Sequence, residues 1–326
     1  MNQHQFESLH EETWQKFGHW IDSMQSASTR KKISAKEIQN IPPLFRKICH
    51  HLAMAKLRMY SPYLISRLNR LVLDGHSVLY RSRAGIVSKL SHFLLVGFPQ
   101  AIRRDKMYVL LSSLIFYGIF VAVVVAIQVW PDFAVTVLGP KQIYAVENMY
   151  NPNSGHFGRS DNSSTQFQMF AHYIFNNISI SFRIFAGGLL LGVGTLFYLV
   201  FNGLVIGAVV GHLAKIGFSV TIFPFIIGHG SFELTAFVLA AAAGFKLGYS
   251  YINPGRIARI DAIKKAGGEC AVILWGVFLM LVIAAFIEAY WSSLSVISAT
   301  VKYIVGAGLW FAVIAYFIWV GRRHEV

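Results

Sequence analysis

The sequence predicts an all-α, polytopic membrane helix bundle of about six spans with an N-terminal cytosolic helical module, and three observations carry that prediction. The 326-residue chain is 55% hydrophobic and only 13% charged, a membrane-protein composition. Beyond residue 106 the charges retreat from long stretches of sequence. The first 106 residues, in contrast, hold 17 Lys/Arg against 7 Asp/Glu, which is +10 of the chain's formal +14. A basic balance suits an anionic lipid surface as well as nucleic acid. With aromatics spaced as in a helix core and no nucleic-acid signature, membrane lipid is the expected partner and nucleic acid is not. Cys49 and Cys270 lie far apart in sequence and indicate neither a disulfide framework nor a thiolate metal site.

Residues 1–85 read as a cytosolic amphipathic helical module. Phe6, Leu9, Phe17, Ile21 and Met24 recur at helical spacing, with Trp14 and Trp20 flanking the stripe. Ser34 and Glu37 have capping-box spacing, and Pro42-Pro43 is expected to stop the helix they start. A second stripe follows at Phe45, Ile48, Leu52, Ala55 and Met59, with Arg46, Lys47, Lys56 and Arg58 mostly off it. Ser61 and Pro62 supply an N-cap and a first-turn proline for a helix carrying Leu64, Leu68, Leu71, Val78 and Leu79. Two such helices joined by a short break make an antiparallel hairpin. From Gly85 to Arg104, Ile86, Leu90, Leu94 and Phe98 form an apolar face with Lys89, Arg103, Arg104 and Lys106 around it, so 86–106 reads as an interfacial basic helix. The N-terminus lacks a basic start followed by an apolar core, so the first span is expected to act as the insertion signal.

The transmembrane bundle is assigned to 107–320. Residues 107–131 contain no Asp, Glu, Lys or Arg, enough to span roughly 30 Å of hydrocarbon. Residues 132–172 are polar and turn-rich and read as an external loop; its Asn162-Ser163-Ser164 fits a glycosylation acceptor by a short, common motif. The charge-free run 184–214 is too long for one comfortable span. If it crosses once, the basic stretch 246–265 and the tail 321–326 fall opposite Arg103, Arg104 and Lys106, against the positive-inside rule. Two crossings put all three clusters in the cytosol. The predicted spans are therefore about 107–130, 172–194, 196–214, 219–245, 270–291 and 302–320, with both termini cytosolic.

Two kinds of residue inside these spans point to packing or chemistry. Gly188 and Gly192, Gly203 and Gly207, and Gly207 and Gly211 form small-xxx-small patterns, which let backbones approach where lipid gives no hydrophobic drive. The same holds for Gly244 and Gly248. Asn177, Arg183, Asn202, His229, Glu233 and Glu288, with Asn176, are polar at membrane depth; a charge there costs on the order of 2.5 to 3.5 kcal/mol and so needs protein or water around it. His229 and Glu233 are one turn apart on one helix face. Pro224, Gly228 and Gly230 beside them suggest a bent or interrupted helix. The plain reading of the pair is a hydrogen-bonded contact that pins the bend; the functional readings are a proton or ion relay, a substrate contact or half of a metal site. A metal centre is not expected, because glutamate stands where H-E-x-x-H would place its second histidine, and Glu288 reads as lying nearer the outer end of its span than Glu233. No nucleophile elbow, Walker loop or dinucleotide fingerprint is present, and no cofactor is expected.

Several stretches resemble one family. "NNISISFRIFAGGLLLGVGT", "FNGLVIGAVVGHL", "GHGSFELTAFVLAAAAGFKLG" and "AAFIEAYWSS" are similar to the membrane signatures of the stage II sporulation protein M family. "AMAKLRMYSPYLISRLNRLVLDGHSVLYR" and "FPQAIRRD" resemble its cytosolic lead-in, so that the likeness runs from about 45 to 291. The resemblance implies an integral protein of the bacterial inner membrane. In spore formers it implies an anchor that helps place the cell-wall-degrading stage II sporulation proteins D and P without being a hydrolase itself. The family pattern falls on Asn177, Asn202, His229, Gly230, Glu233 and Glu288; the basic N-terminal region and the span after residue 300 depart from it. The expectation is a non-enzymatic membrane scaffold that recruits protein partners at its basic helices or bundle, with homo-oligomers allowed. The alternative is a transporter or channel for a small solute or ion that uses His229, Glu233 and Glu288.

Overall fold

Helices form wherever apolar residues keep a helical period, and among the described residues there is no strand. The computed structural model describes residues 1–25, 35–79, 86–154 and 163–322. Ser34 of the expected capping box and the Asn162 acceptor lie outside them. The chain divides into two units, Met1–Ile86 and Val87–Val326.

The first unit is a three-helix module. Helix α1 (Gln3–Gln25), α2 (Ala35–Leu57) and α3 (Pro62–Leu79) share a core of Phe6, Trp14, Phe17, Ile21, Ile48, Leu52, Leu64 and Leu68. Three local expectations are corrected. Trp14 is buried inside the stripe while Leu9 is 65% exposed, because the 3.6-residue period rotates position 9 out of the face that holds 6, 14, 17 and 21. Pro42 and Pro43 lie within α2 and do not end it. Each removes an N–H from the ladder, but Ile41, Ile48, Leu52 and Ala55 keep burying the helix on both sides of them. Met59 is 87% exposed with φ at 53°, where it makes the α2–α3 turn. Ser61 Oγ then accepts from Leu64 N–H at 3.4 Å, as an N-cap does. Gln3 fastens α1 to this turn by donating to Ser61 Oγ and accepting from Ser61 N–H, both at 2.9 Å. Arg67 closes the module with two bonds to the Glu11 carboxylate, at 2.8 and 2.5 Å. Inside it, Trp14 donates to Nδ1 of His51 at 3.0 Å, and His10 stacks on His51 at 3.9 Å. Burial, then the neighbouring His10, His50 and Lys47, lower His51 to a pKa of about 4.

In the second unit, α4 (Ile86–His92), a π turn at Phe93–Gly97 and α5 (Phe98–Arg104) lead into α6 (Lys106–Val129). Phe98, Ala101 and Ile102 bury against the bundle. Two short helices, α7 (Asp132–Leu138) and α8 (Pro140–Tyr150), occupy the stretch expected to be a loop; Ala134, Leu138, Val146 and Tyr150 form an apolar stripe whose polar neighbours hid it. The remaining long helices are α9 (Ser163–Ala186), α10 (Val193–Lys215), α11 (Ser219–Ile252), α12 (Arg259–Ile287) and α13 (Ala299–Trp319). A π turn at Glu288–Ser292 extends α12. Pro224, Gly228 and Gly230 do not interrupt α11, since Pro224 falls near its first turns and removes a single ladder bond.

Among the described residues, five helices rather than six are long and apolar enough to cross a membrane: α6, α10, α11, α12 with its π turn, and α13. Helix α9 replaces the expected span 172–194. It begins and ends earlier and carries Asn176, Asn177, Ser179, Ser181 and Arg183 in its second half. It nevertheless runs the length of the bundle, because Phe170 packs on Phe286 and Tyr290 at one end and Ile184 accepts from Thr195 Oγ1 at the other, at 2.8 Å. Helix α11 is the axis, with 61% of its apolar window buried against 17% for α13. Outward faces such as Leu110, Leu114, Val121 and Val125 of α6 stay exposed, as suits hydrocarbon.

Glycine sets the closest approaches. Gly203, Gly207 and Gly211 of α10 lie against Phe116, Phe120 and Val124 of α6. Gly188 lies on the backbone of Gly244, and Gly248 on Gly188 and Gly192. Gly192 has φ at 84°, which turns the chain from α9 into α10. One end of the bundle is fastened electrostatically. Lys246 donates to both carboxylate oxygens of Asp105, at 2.9 and 2.8 Å, and to Glu269 at 2.6 Å. Beside it, Arg103 donates to the carbonyls of Phe317 and Val320 at 2.9 and 2.8 Å, capping α13.

Replacing Gly188 by Ala drives a methyl into backbone that cannot step aside, and is expected to destabilise the bundle by about 1–3 kcal/mol. Gly308→Ala, which meets nothing within 4 Å, should be neutral or stabilising by up to about 1 kcal/mol; thermal unfolding in detergent compares the two. A fragment of residues 1–86 is expected to fold alone. Its neutral, buried His51 must take up a proton on unfolding, so stability present above pH 6.5 is lost as pH falls towards about 4. Circular dichroism melts across that window check the sign, and His51→Phe should flatten the dependence.

Candidate functional site

The site is built at the other end of α11 from the Lys246 cluster. Counted from the Lys246–Glu269 ion pair, His229 is seventeen residues back along α11 and Glu288 nineteen residues on along the antiparallel α12. At 1.5 Å per residue both rise by about 26–28 Å and come level. Gly228 makes this possible by letting Ile287 and Trp291 lie against its α-carbon. Glu288 thus does not sit apart from Glu233, as its place late in the span suggested. The misreading has a physical source: α12 begins at Arg259, eleven residues before the apolar run that set its expected start, and depth follows from helix register, not from where charge stops.

One ligand atom from each of His229, Glu233 and Glu288 lies within 4.8 Å of the others. His229 and Glu233 are neighbours, but each has a partner on another helix. His229 Nδ1 is 3.1 Å from Ser292 Oγ, and its ring meets Phe225 edge-on at 5.2 Å. Glu233 is hydrogen-bonded by Asn177 of α9, which in turn accepts from Asn176 at 3.0 Å. Lys302 of α13, 3% exposed, donates to the Ser292 carbonyl at 2.7 Å. Four long helices therefore converge on this point.

The three ionisable side chains line a cavity of about 640 Å³ whose other walls include Tyr117, Phe120, Val209, Ile226, Tyr303 and Trp310. Few convergent polar groups in an apolar, aromatic wall is the make-up of a small-molecule or ion site. Ser231 takes no part, since its hydroxyl donates to the Gly228 carbonyl at 2.7 Å.

Of the other polar residues singled out in the sequence, Arg183 is exposed on α9, about 9 Å further along the helix than Asn177. Asn202 donates to the Tyr198 carbonyl of its own helix at 2.7 Å. Neither joins the cluster. The glycines Gly188, Gly192, Gly203, Gly207 and Gly211 serve helix packing. Sequence reasoning passed over Ser292 and Lys302. Lys302 offered a signal, as a lysine at the start of an apolar run, but it read as the span's boundary.

Comparison with known proteins gives two family matches. The model described as Stage II sporulation protein M matches residues 108–293, and one described as Domain of unknown function (DUF8413) matches residues 4–81. The stretches at 53–81 and 98–105 that resembled a lead-in therefore lie outside the first match, and most of the three-helix module has a description of its own. An uncharacterized protein of Methanocaldococcus jannaschii is 29% identical over 127 residues, 37% of this chain and 69% of the relative. No solved structure matches the chain. Asn177, His229, Glu233, Glu288 and Ser292 fall inside the first match, Lys302, Tyr303 and Trp310 outside it, and the helices around the cavity are those of a multi-pass membrane protein. Matched over more than half of its length, the chain belongs to the stage II sporulation protein M family.

Proposed function

We propose that the membrane unit takes up a small cationic solute or an ion within the bundle and acts as a transporter or channel. The observation that carries this is the cavity of about 640 Å³ with His229, Glu233 and Glu288 in its wall. An anchor needs helices that hold together, and the glycine seams do that without ionisable groups. Two carboxylates and an imidazole at one point in a bundle are costly to insert and are therefore a functional feature by default. Their chemistry favours a positive charge.

On this reading α9 crosses with the five apolar helices, with Asn177 and Ser181 of its polar residues buried in the bundle. Six crossings place both termini on the cytosolic side of the inner membrane. Support comes from Arg103, Arg104 and Lys246 with their partners, which gather at one end of the bundle, as the positive-inside rule requires of a cytosolic face. A second reading, a scaffold that recruits partners, is favoured by the separately cored N-terminal unit and its own family match. The two readings are compatible if the module recruits and the bundle conducts. Neither assigns the chain catalysis of its own.

Reconstitution in liposomes separates them. The wild type is expected to carry cation flux above that of empty vesicles, and Glu233→Gln to lose at least tenfold of it while staying folded. Deleting residues 1–85 should leave flux intact and remove co-purifying partners. Wild-type flux no higher than that of empty vesicles, across monovalent ions, divalent ions and small amines, would leave only the scaffold.

A further inference from the structure

The side chains facing the cavity form a ligand set of definite chemistry. His229 and Glu233 project from one face of α11, and Glu288 reaches them from the end of α12, with the three ligand atoms within 4.8 Å of one another. Two of the three are oriented from behind. Ser292 holds Nδ1 of His229 at 3.1 Å, so Nε2 is the nitrogen with which the ring would ligate, and Asn177 bonds Glu233. Outer partners of this kind fix the tautomer and aim of metal ligands. The cavity supplies what a hydrogen-bonded polar cluster does not need, which is room beside the ligands for an ion, its waters and an entry path.

We infer that His229, Glu233 and Glu288 bind one divalent first-row transition-metal ion, with further coordination positions open to the cavity. This rests on the cation-handling function proposed above and names its cation class. One imidazole with two carboxylates suits zinc, manganese or ferrous iron; the imidazole disfavours calcium and magnesium, and the lack of a thiolate disfavours cuprous copper. Lys302 stands just behind, its ammonium 2.7 Å from the Ser292 carbonyl. A second cation is repelled there, so the expected stoichiometry is one.

The full-length protein, purified in detergent and stripped with a chelator, is titrated with Zn²⁺ by calorimetry and with Mn²⁺ by electron paramagnetic resonance. The wild type should bind one ion per chain at this site. Glu233→Gln, Glu288→Gln and His229→Asn should each weaken binding at least tenfold, and Ser292→Ala by about tenfold. Lys302→Met should tighten it. That opposite sign is the signature of a cation site, since a merely structural polar network would loosen in every variant, and it remains readable if a carboxylate variant fails to fold. No binding by the wild type overturns the inference. So does equal binding by the Glu233→Gln/Glu288→Gln double variant, which would place the ion elsewhere, such as at His10, His50 and His51. Tight binding without flux would retain the metal site and remove the transport function; Glu233-dependent flux of other cations without metal binding would do the reverse.

Discussion

The contact on which the bundle depends is that of backbone against backbone at Gly188, Gly244 and Gly248. In lipid, apolar side chains gain nothing by leaving hydrocarbon for protein, so association rests on close van der Waals contact and on polar groups that must be satisfied internally. The glycines bring the α9–α10 turn onto the axis helix with no side chain between them. Once that seam is set, Thr195 reaches the Ile184 carbonyl and the second half of α9 is held beside α11, with Gly244 against the Ile184 and Phe185 carbonyls. Asn177 is then at the level of Glu233. A seam made by residues without side chains thus decides where side chains with chemistry meet.

A second determinant is register. The Lys246, Asp105 and Glu269 cluster locks α11 against α12 and against the start of α6. From that lock, antiparallel helices of equal rise can bring only certain residues level, and His229 and Glu288 are among them. The ion cluster is far from the cavity and touches nothing in it, but it acts on the site through helix rise. Its salt bridges matter more for this alignment than for the net stability they contribute, since desolvation offsets the attraction in a pair as buried as Lys246–Asp105.

Much of the fold was legible. The charge-free run at 107–131 forecast α6 to within a residue or two, and the expected spans at 196–214, 219–245, 270–291 and 302–320 fall on α10 to α13. The glycine patterns pointed to packing, and the structure uses them so. What stayed illegible was tertiary. Nothing local told that α9, with five polar residues in its second half, would lie in the bundle, since Asn177 finds Glu233 on another helix while Arg183 stays exposed. The stripe through Ala134, Leu138, Val146 and Tyr150 was diluted by polar neighbours and read as loop. The site was half visible: the His229 and Glu233 spacing stood out on one helix, whereas Glu288, Ser292 and Lys302 join through α12 and α13, whose alignment no single helix encodes.

The π turn at Glu288–Ser292 has a further meaning. A widened turn takes up one extra residue, so every position beyond it is set back by about 100° in phase relative to an unbroken α-helix. Ser292 closes that turn and lies 3.1 Å from Nδ1 of His229. A helix with one residue fewer would look nearly the same in a hydropathy plot yet aim a different side chain at the imidazole. Among homologues, a single-residue gap in this segment is therefore a sharper marker of lost or altered chemistry than any substitution on the lipid-facing surface.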